Sequence, residues 1–251
     1  MNSTAPALQS DDTRMGDLLA LLAYGPDGWG DELLAGAWLT IRLAVVTLPF
    51  GLALGLLIAI MKASGQRYFR AVGNVYTTVF RGLPELLTLF VIYNMIQIGV
   101  NRLVNSFFPD SSFEIGGFAA GVIALAVVFG AFSSEVFLGA IKAIPKGQVE
   151  AGRSLGLSAT QAFRLITLPQ LWRLALPGLG NLWLVLIKDT SLVSVIALND
   201  LLRQTQVAVG VTKEPFFFYL IACMIYLAFT LVSSAGLNRL EARANRGFAA
   251  R

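Results

Sequence analysis

Four ionisable residues stand within or beside apolar runs of this chain: Glu85, Glu135, Lys188 and Asp189. Ionisable groups inside a bilayer are rare, and they mark transport paths or buried ion pairs. Glu135 follows Phe129-Gly130-Ala131-Phe132-Ser133-Ser134. Small residues let helices approach closely and leave room for a cavity. A carboxylate beside Ser134 can meet a substrate ammonium or guanidinium. It can equally pair with a base on this or a neighbouring subunit, and both readings stand. Glu85 lies close to Arg81 and can pair with it or with a base elsewhere. Lys188 and Asp189 are adjacent, so on a helix they point about 100° apart. The substrate-path candidates are therefore Glu135, Ser134, Asp189 and Glu85.

Other chemistries fall away. Histidine is absent, which removes histidine-based zinc sites and Ser–His nucleophiles. The single cysteine, Cys223, allows neither an internal disulfide nor a cysteine metal cluster. An aspartate dyad lacks its second member, since Asp189 alone lies within a span. No catalytic residue, metal or cofactor is expected. The net charge of +4 is no nucleic-acid footprint, because the bases cluster beside the apolar runs.

These residues are held by membrane helices. Hydrophobic residues make up 56% of the 251 and charged residues only 14%, against about 25% charged in soluble domains. Mean hydropathy is +0.69. A crossing helix needs about 20 apolar residues. Five stretches qualify, roughly Ala37 to Met61, Val72 to Val100, Phe118 to Ile141, Leu174 to Leu198 and Phe216 to Leu237. The second is interrupted at Arg81-Gly82-Leu83-Pro84-Glu85. Pro84 bends a helix, which makes Val72 to Phe80 an interfacial piece before the true crossing. Arg42, near the outer end of the first span, can snorkel to the headgroups. The first 30 residues are polar and acidic, so no cleavable signal peptide is expected.

Charge gives the orientation. Lysine and arginine favour cytoplasmic loops. Lys62, Arg67, Arg70 and Arg81 follow span one; Lys142, Lys146, Arg153, Arg164 and Arg173 follow span three; Arg239, Arg243, Arg246 and Arg251 end the chain. Asp11, Asp12, Asp17, Asp27, Asp31, Glu32, Asp110, Glu114, Asp200 and Glu214 fall on the other side. The N-terminus is expected outside and the C-terminus inside.

The inward loop after span three has local order. Pro145 suits the first turn of a helix. Gly156 fits the left-handed position that ends it. Ser158 and Gln161 form an S-x-x-Q capping box for a second helix. Pro169 is expected to stop that helix. Glu150 and Arg153, three apart, can share a face. An amphipathic linker and a docking surface both fit this periodicity.

The order E-A-G-x-x-L-G, then F-x-x-I-x-L-P, resembles the EAA motif of ABC importer permeases. The matching residues are Glu150, Ala151, Gly152, Leu155, Gly156, Phe163, Ile166, Leu168 and Pro169, with Gly152 where the family's name implies alanine. The run from Ala140 to Gln148 resembles the polar amino-acid branch. So do Phe80-Arg81-Gly82-Leu83-Pro84-Glu85-Leu86-Leu87 and Lys188-Asp189-Thr190-Ser191-Leu192.

The resemblance covers roughly Gly36 to Arg239. It implies an all-α type I ABC importer transmembrane domain with five membrane helices and a cytoplasmic helix–Gly–helix coupling loop. The expected division is a periplasmic tail over 1–35, the transmembrane domain over 36–240 with its coupling loop at 145–169, and a cytoplasmic tail over 241–251. Glu150, Ala151, Gly152, Arg153, Leu155 and Gly156 would contact the ATPase. The implied partners are a cytoplasmic ATP-binding subunit dimer, a second permease subunit, a periplasmic substrate-binding protein, and membrane lipid. The implied site of action is the bacterial inner membrane. The cargo is a polar amino acid, with RGLPELL closest to permeases for basic amino acids and opines.

The chain has no GxxxxGK[ST] phosphate loop, so ATP is expected on another polypeptide. The alternative is a secondary amino-acid transporter without an ATPase. That architecture usually carries internal repeats, and the sequence shows none.

Overall fold

The computed structural model describes residues 16–26, 28–107, 116–196 and 198–245. Among these, five helices are long and apolar enough to cross a membrane. The chain enters the bundle through α1 (Gly30–Ala63) and turns into α2 (Arg67–Gly82). It then forms α3 (Glu85–Phe107) and α4 (Gly117–Ala143). A short α5 (Lys146–Ser154) leads to α6 (Ala159–Ala162), a π turn over Phe163–Thr167, and α7 (Leu168–Asp189). A 3₁₀ turn over Thr190–Ile196 leads to α8 (Leu201–Thr212) and α9 (Pro215–Ala244). Of the charges used for orientation, Asp11, Asp12, Asp27, Asp110, Glu114, Arg246 and Arg251 lie outside the described residues.

The centre is the pair α1 and α4. Glycines on α1 set their spacing. A Cβ at Gly51 would lie 2.6 Å from the Phe129 ring, and one at Gly55 would overlap the Ser133 hydroxyl. That hydroxyl donates to the Gly51 carbonyl at 3.3 Å. Lipid tails are as apolar as leucine, so membrane helices associate through such close packing rather than by escaping water. Around the pair, Leu43, Leu89, Phe129 and Leu186 form the largest apolar cluster. In contrast to α4, α3 and α9 bury little of their surface.

The second stretch divides as Pro84 predicts. Helix α2 is amphipathic and buries only Gly73 and Thr77. After Leu83, Pro84 opens α3, whose Thr88 N–H reaches the Pro84 carbonyl at 3.0 Å.

Pro169 does not stop its helix, contrary to the sequence reading. Helical structure continues from Ala159 to Ile196. The π turn makes this possible: the Leu168 N–H bonds the Phe163 carbonyl, five residues back. The wider turn relieves the clash of a proline ring with the carbonyl four residues behind it. The Gln170 amide donates to the Ile166 carbonyl at 3.0 Å, satisfying a group near the proline.

Helix α8 is fastened to α1 at its first turn. Asp200 is its N-cap and accepts from the N–H groups of Arg203 (3.0 Å) and Leu202 (3.4 Å). Thr40 on α1 accepts from the Leu201 N–H at 3.2 Å and donates to the Gly36 carbonyl at 3.0 Å. Burial pushes the Asp200 carboxyl up to about 6, although its backbone donors pull the other way. This folded value lies above the ordinary 3.8. The folded chain therefore holds an extra proton between those limits. Stability should rise as pH falls through about 6 and level off near 4. Asp200→Asn keeps a good N-cap and removes the ionisation. Thermal melts of the detergent-purified protein between pH 4.5 and 8 should show a flattened pH dependence for this variant, with a higher melting temperature at pH 8.

Candidate functional site

Three places on the bundle combine exposed or polar side chains with a defined shape. The first is the hook between α4 and α7. Pro145 stands at the N-cap of α5, one position before the expected first turn. The helix ends in a paired closure: the Gly156 N–H bonds the Arg153 carbonyl at 3.0 Å, and the Leu157 N–H bonds the Gly152 carbonyl at 3.1 Å. This Schellman arrangement needs a left-handed residue, and Gly156 has φ +87°. Ser158 and Gln161 then form the reciprocal capping box. The Gln161 N–H reaches the Ser158 hydroxyl at 3.3 Å, and the Ser158 N–H reaches the Gln161 carboxamide oxygen at 2.9 Å.

The two arms of the hook touch at Gly152. It is buried, and a Cβ there would overlap the end of Ile166. Its neighbours face outward. Glu150, Ala151, Arg153 and Gly156 are exposed, and Leu155 is 86% exposed. Glu150 and Arg153 share the outer side without forming an ion pair.

The second place is a cavity inside the bundle, where Glu85 at the start of α3 meets Asp189 at the end of α7. Leu89, Phe129, Leu182 and Leu186 supply apolar walls. Two carboxyls from separate elements thus share one largely apolar chamber. Lys188 is exposed and is not part of the cavity lining.

Glu135 lies apart, in a polar recess. It pairs with Lys62 of α1 and, at 3.5 Å, with Arg81 of α2. Lys62 also donates to the Thr77 hydroxyl at 3.0 Å. Arg81 therefore pairs with Glu135 rather than with Glu85, for which it was one of two partners left open by the sequence. The break at Leu83-Pro84 separates Arg81 and Glu85 into different helices. Phe132 borders both the cavity and the recess, with the Arg81 guanidinium 5.6 Å from its ring centre. Ser134 is fully buried and donates to the Ala131 carbonyl at 2.8 Å, so it lines neither space. Arg42 lies 5.5 Å over the Phe118 ring.

Lys62, Thr77 and Phe132 were not singled out from the sequence. Lys62 and Glu135 are 73 positions apart, and only the packing of α1 on α4 makes them neighbours. A lysine ending an apolar run reads from sequence as an ordinary interfacial base.

Comparison with known proteins agrees with this architecture. Residues 51–246 match the binding-protein-dependent transport system inner membrane component family. The chain is 41% identical over 230 residues to the nopaline transport system permease protein NocQ of Agrobacterium fabrum, covering 91% of this chain and 98% of that one. It is 41% identical over 226 residues to the arginine ABC transporter permease protein ArtQ of Escherichia coli, covering 85% and 95%. A crystal structure of an amino acid ABC transporter with histidines matches with a TM-score of 0.71 at 35% identity, covering 86% of this chain and 95% of that one. The MetNI methionine ABC transporter, in an inward-facing form, shares the fold with a TM-score of 0.68 at 18% identity, covering 85% and 96%. With its five apolar helices and a match over most of its length, the chain belongs to the binding-protein-dependent transport system inner membrane components.

Proposed function

We propose that this chain is the permease subunit of an ATP-driven importer that carries a polar amino acid or opine, with a basic amino acid or opine as the favoured cargo. An external binding protein delivers the solute. A dimer of cytoplasmic ATP-binding subunits drives transport, and a second permease subunit, identical or homologous, completes the path. The N-terminus lies outside, and the hook and C-terminus lie inside. The domain limits are those read from sequence: an outer tail over 1–35, the transmembrane domain over 36–240, the coupling loop at 145–169, and an inner tail over 241–251. The names of the relatives support the cargo class, since they are transporters of nopaline and arginine.

One observation carries the reading: the hook is joined without a break to the helix that holds Asp189. From Ala159 the chain stays helical through the π turn and α7. The 22 residues of α7 span roughly 33 Å at 1.5 Å per residue. A push on the exposed face of Glu150, Ala151, Arg153 and Leu155 reaches the second arm through the Gly152–Ile166 contact. It then travels along α7, past the Pro177 inside that helix, to Asp189. Gly156 fixes the angle of the hook, because its positive φ holds the reversal tight.

Asp189 rides on this helix, while Glu85 sits on α3. Movement of α7 changes the distance between the two carboxyls and so their grip on a cation. A guanidinium or ammonium suits such a pair, since two carboxylates facing each other attract positive charge strongly in apolar surroundings. Beyond Phe132, the recess with Glu135, Lys62 and Arg81 forms the inner end of the path. Ser134 packs behind it.

Glu150→Lys should leave insertion intact and lower ATP-driven uptake about tenfold or more, the effect of reversing one well-placed interface charge. Uptake into vesicles and co-purification of the ATP-binding subunit measure this, and unchanged uptake would count against the coupling role. Glu85→Gln combined with Asp189→Asn should lower arginine uptake by about tenfold or more with assembly preserved. Equal losses of uptake and assembly would instead make the pair structural. Purifying the chain from mild detergent and identifying its companions tests the whole reading. Solute uptake by the chain alone would overturn it.

A further inference from the structure

Helix α3 crosses the membrane with one side uncovered. Its Thr88 and Leu89 turn into the bundle and are buried. Asn94 lies about 140° round the helix from Leu89, and it is exposed. It falls near the middle of the Glu85–Ser106 crossing. Leu87, Val91 and Ile98, each half exposed, lie within about 60° of it. One Asn94 N–H donates to the Phe90 carbonyl at 2.8 Å. The carboxamide also has a second N–H and an oxygen to satisfy. Hydrocarbon offers no partner, so a polar group at this depth calls for one from protein.

The residues of this face follow a heptad. Leu87, Asn94 and Asn101 stand seven apart, and so do Val91, Ile98 and Asn105. The intervals alternate four and three, which is the seam of a coiled coil. β-Branched Val91 and Ile98 hold one position of the repeat and Leu87 the other, the combination that favours parallel pairs. A groove of about 440 Å³ borders the seam, with Leu83, Leu87, Val91 and Met95 in its lining. It is a socket for side chains of a facing helix. A polar amide in such a seam fixes the register. Lipid would fill the apolar positions and leave the amide unsatisfied. A water-filled path asks for polar residues along the whole sector, whereas Leu87, Val91 and Ile98 are apolar.

We infer that α3 is the seam through which this chain meets the second permease subunit, packed parallel against that subunit's matching helix. A two-fold axis along the membrane normal brings like levels of the two helices together. Asn94 then meets a carboxamide. Each amide donates one N–H to the oxygen of the other, while the remaining Asn94 N–H keeps its bond to the Phe90 carbonyl. Leu87, Val91 and Ile98 pack on either side of this polar level. The inference rests on the importer reading and gives one of its partners a face and a recognition residue.

The test uses the complete transporter in native membranes, with a benzophenone amino acid in place of Ile98 or, separately, of Leu103. Leu103 is exposed on the same helix and lies about 140° round from Ile98. Irradiation should join position 98 to a second permease subunit, identified by the mass of the adduct, and position 103 should give far less. Asn94→Leu should lower the share of permease subunits recovered as pairs in mild detergent by about fivefold, the scale of two interhelical hydrogen bonds in a membrane. Asn94→Gln keeps the carboxamide and should hold most of the pairing. Lipid adducts alone from position 98, equal protein yields from 98 and 103, or full pairing in Asn94→Leu would each overturn the inference. The importer reading survives those outcomes while the ATP-binding subunit still co-purifies with the wild type. Absence of that subunit from the wild type would overturn the importer reading itself.

Discussion

The close approach of α1 and α4 underlies the rest of the structure. Gly51 and Gly55 present backbone where other residues would present side chains, and Phe129 and Ser133 fill that space. In a bilayer this contact has no hydrophobic driving force, so shape complementarity must supply it. It brings Lys62 at the end of α1 to Glu135 on α4. It also places Phe129 and Phe132 so that one flank of α4 walls the carboxyl cavity. A larger residue at Gly55 would push the helices apart and disturb both spaces together.

Several polar groups around that seam are satisfied within or between helices, while the buried Thr47 hydroxyl of α1 has no hydrogen-bond partner. Thr40, Thr77 and Ser134 each bond a carbonyl within their own helix. Thr40 and Thr77 also reach across to another element. Glu135 is matched with two cations, which limits the cost of burying it. Glu85 and Asp189 differ, because they face one another across one largely apolar cavity. One carboxylate of the bundle is thus matched by cations, while two carboxyls share an apolar cavity.

The hook and α7 connect the two ends of the molecule. Gly156 permits a tight reversal, the capping box restarts the helix, and the π turn carries it past Pro169. Each device is local and small. Together they make a continuous helical element from a stretch rich in helix-ending residues.

The sequence by itself determined the five apolar spans, the break at Pro84, the left-handed Gly156 and the Ser158–Gln161 box. These depend on hydropathy over a short window or on residues within four positions of each other. It also marked Glu85, Glu135 and Asp189 as unusual, because a charge in an apolar run is visible without a structure. Only the tertiary structure decided their partners. Glu135 meets Lys62 across 73 positions, and Glu85 meets Asp189 from separate helices. Pro169 was misread for a related reason: its local rule says stop, while the π turn and the packing of Leu171 and Ala175 in the core keep the helix going. Pairing across helices depends on rotation and register, which close packing sets and a linear pattern does not record.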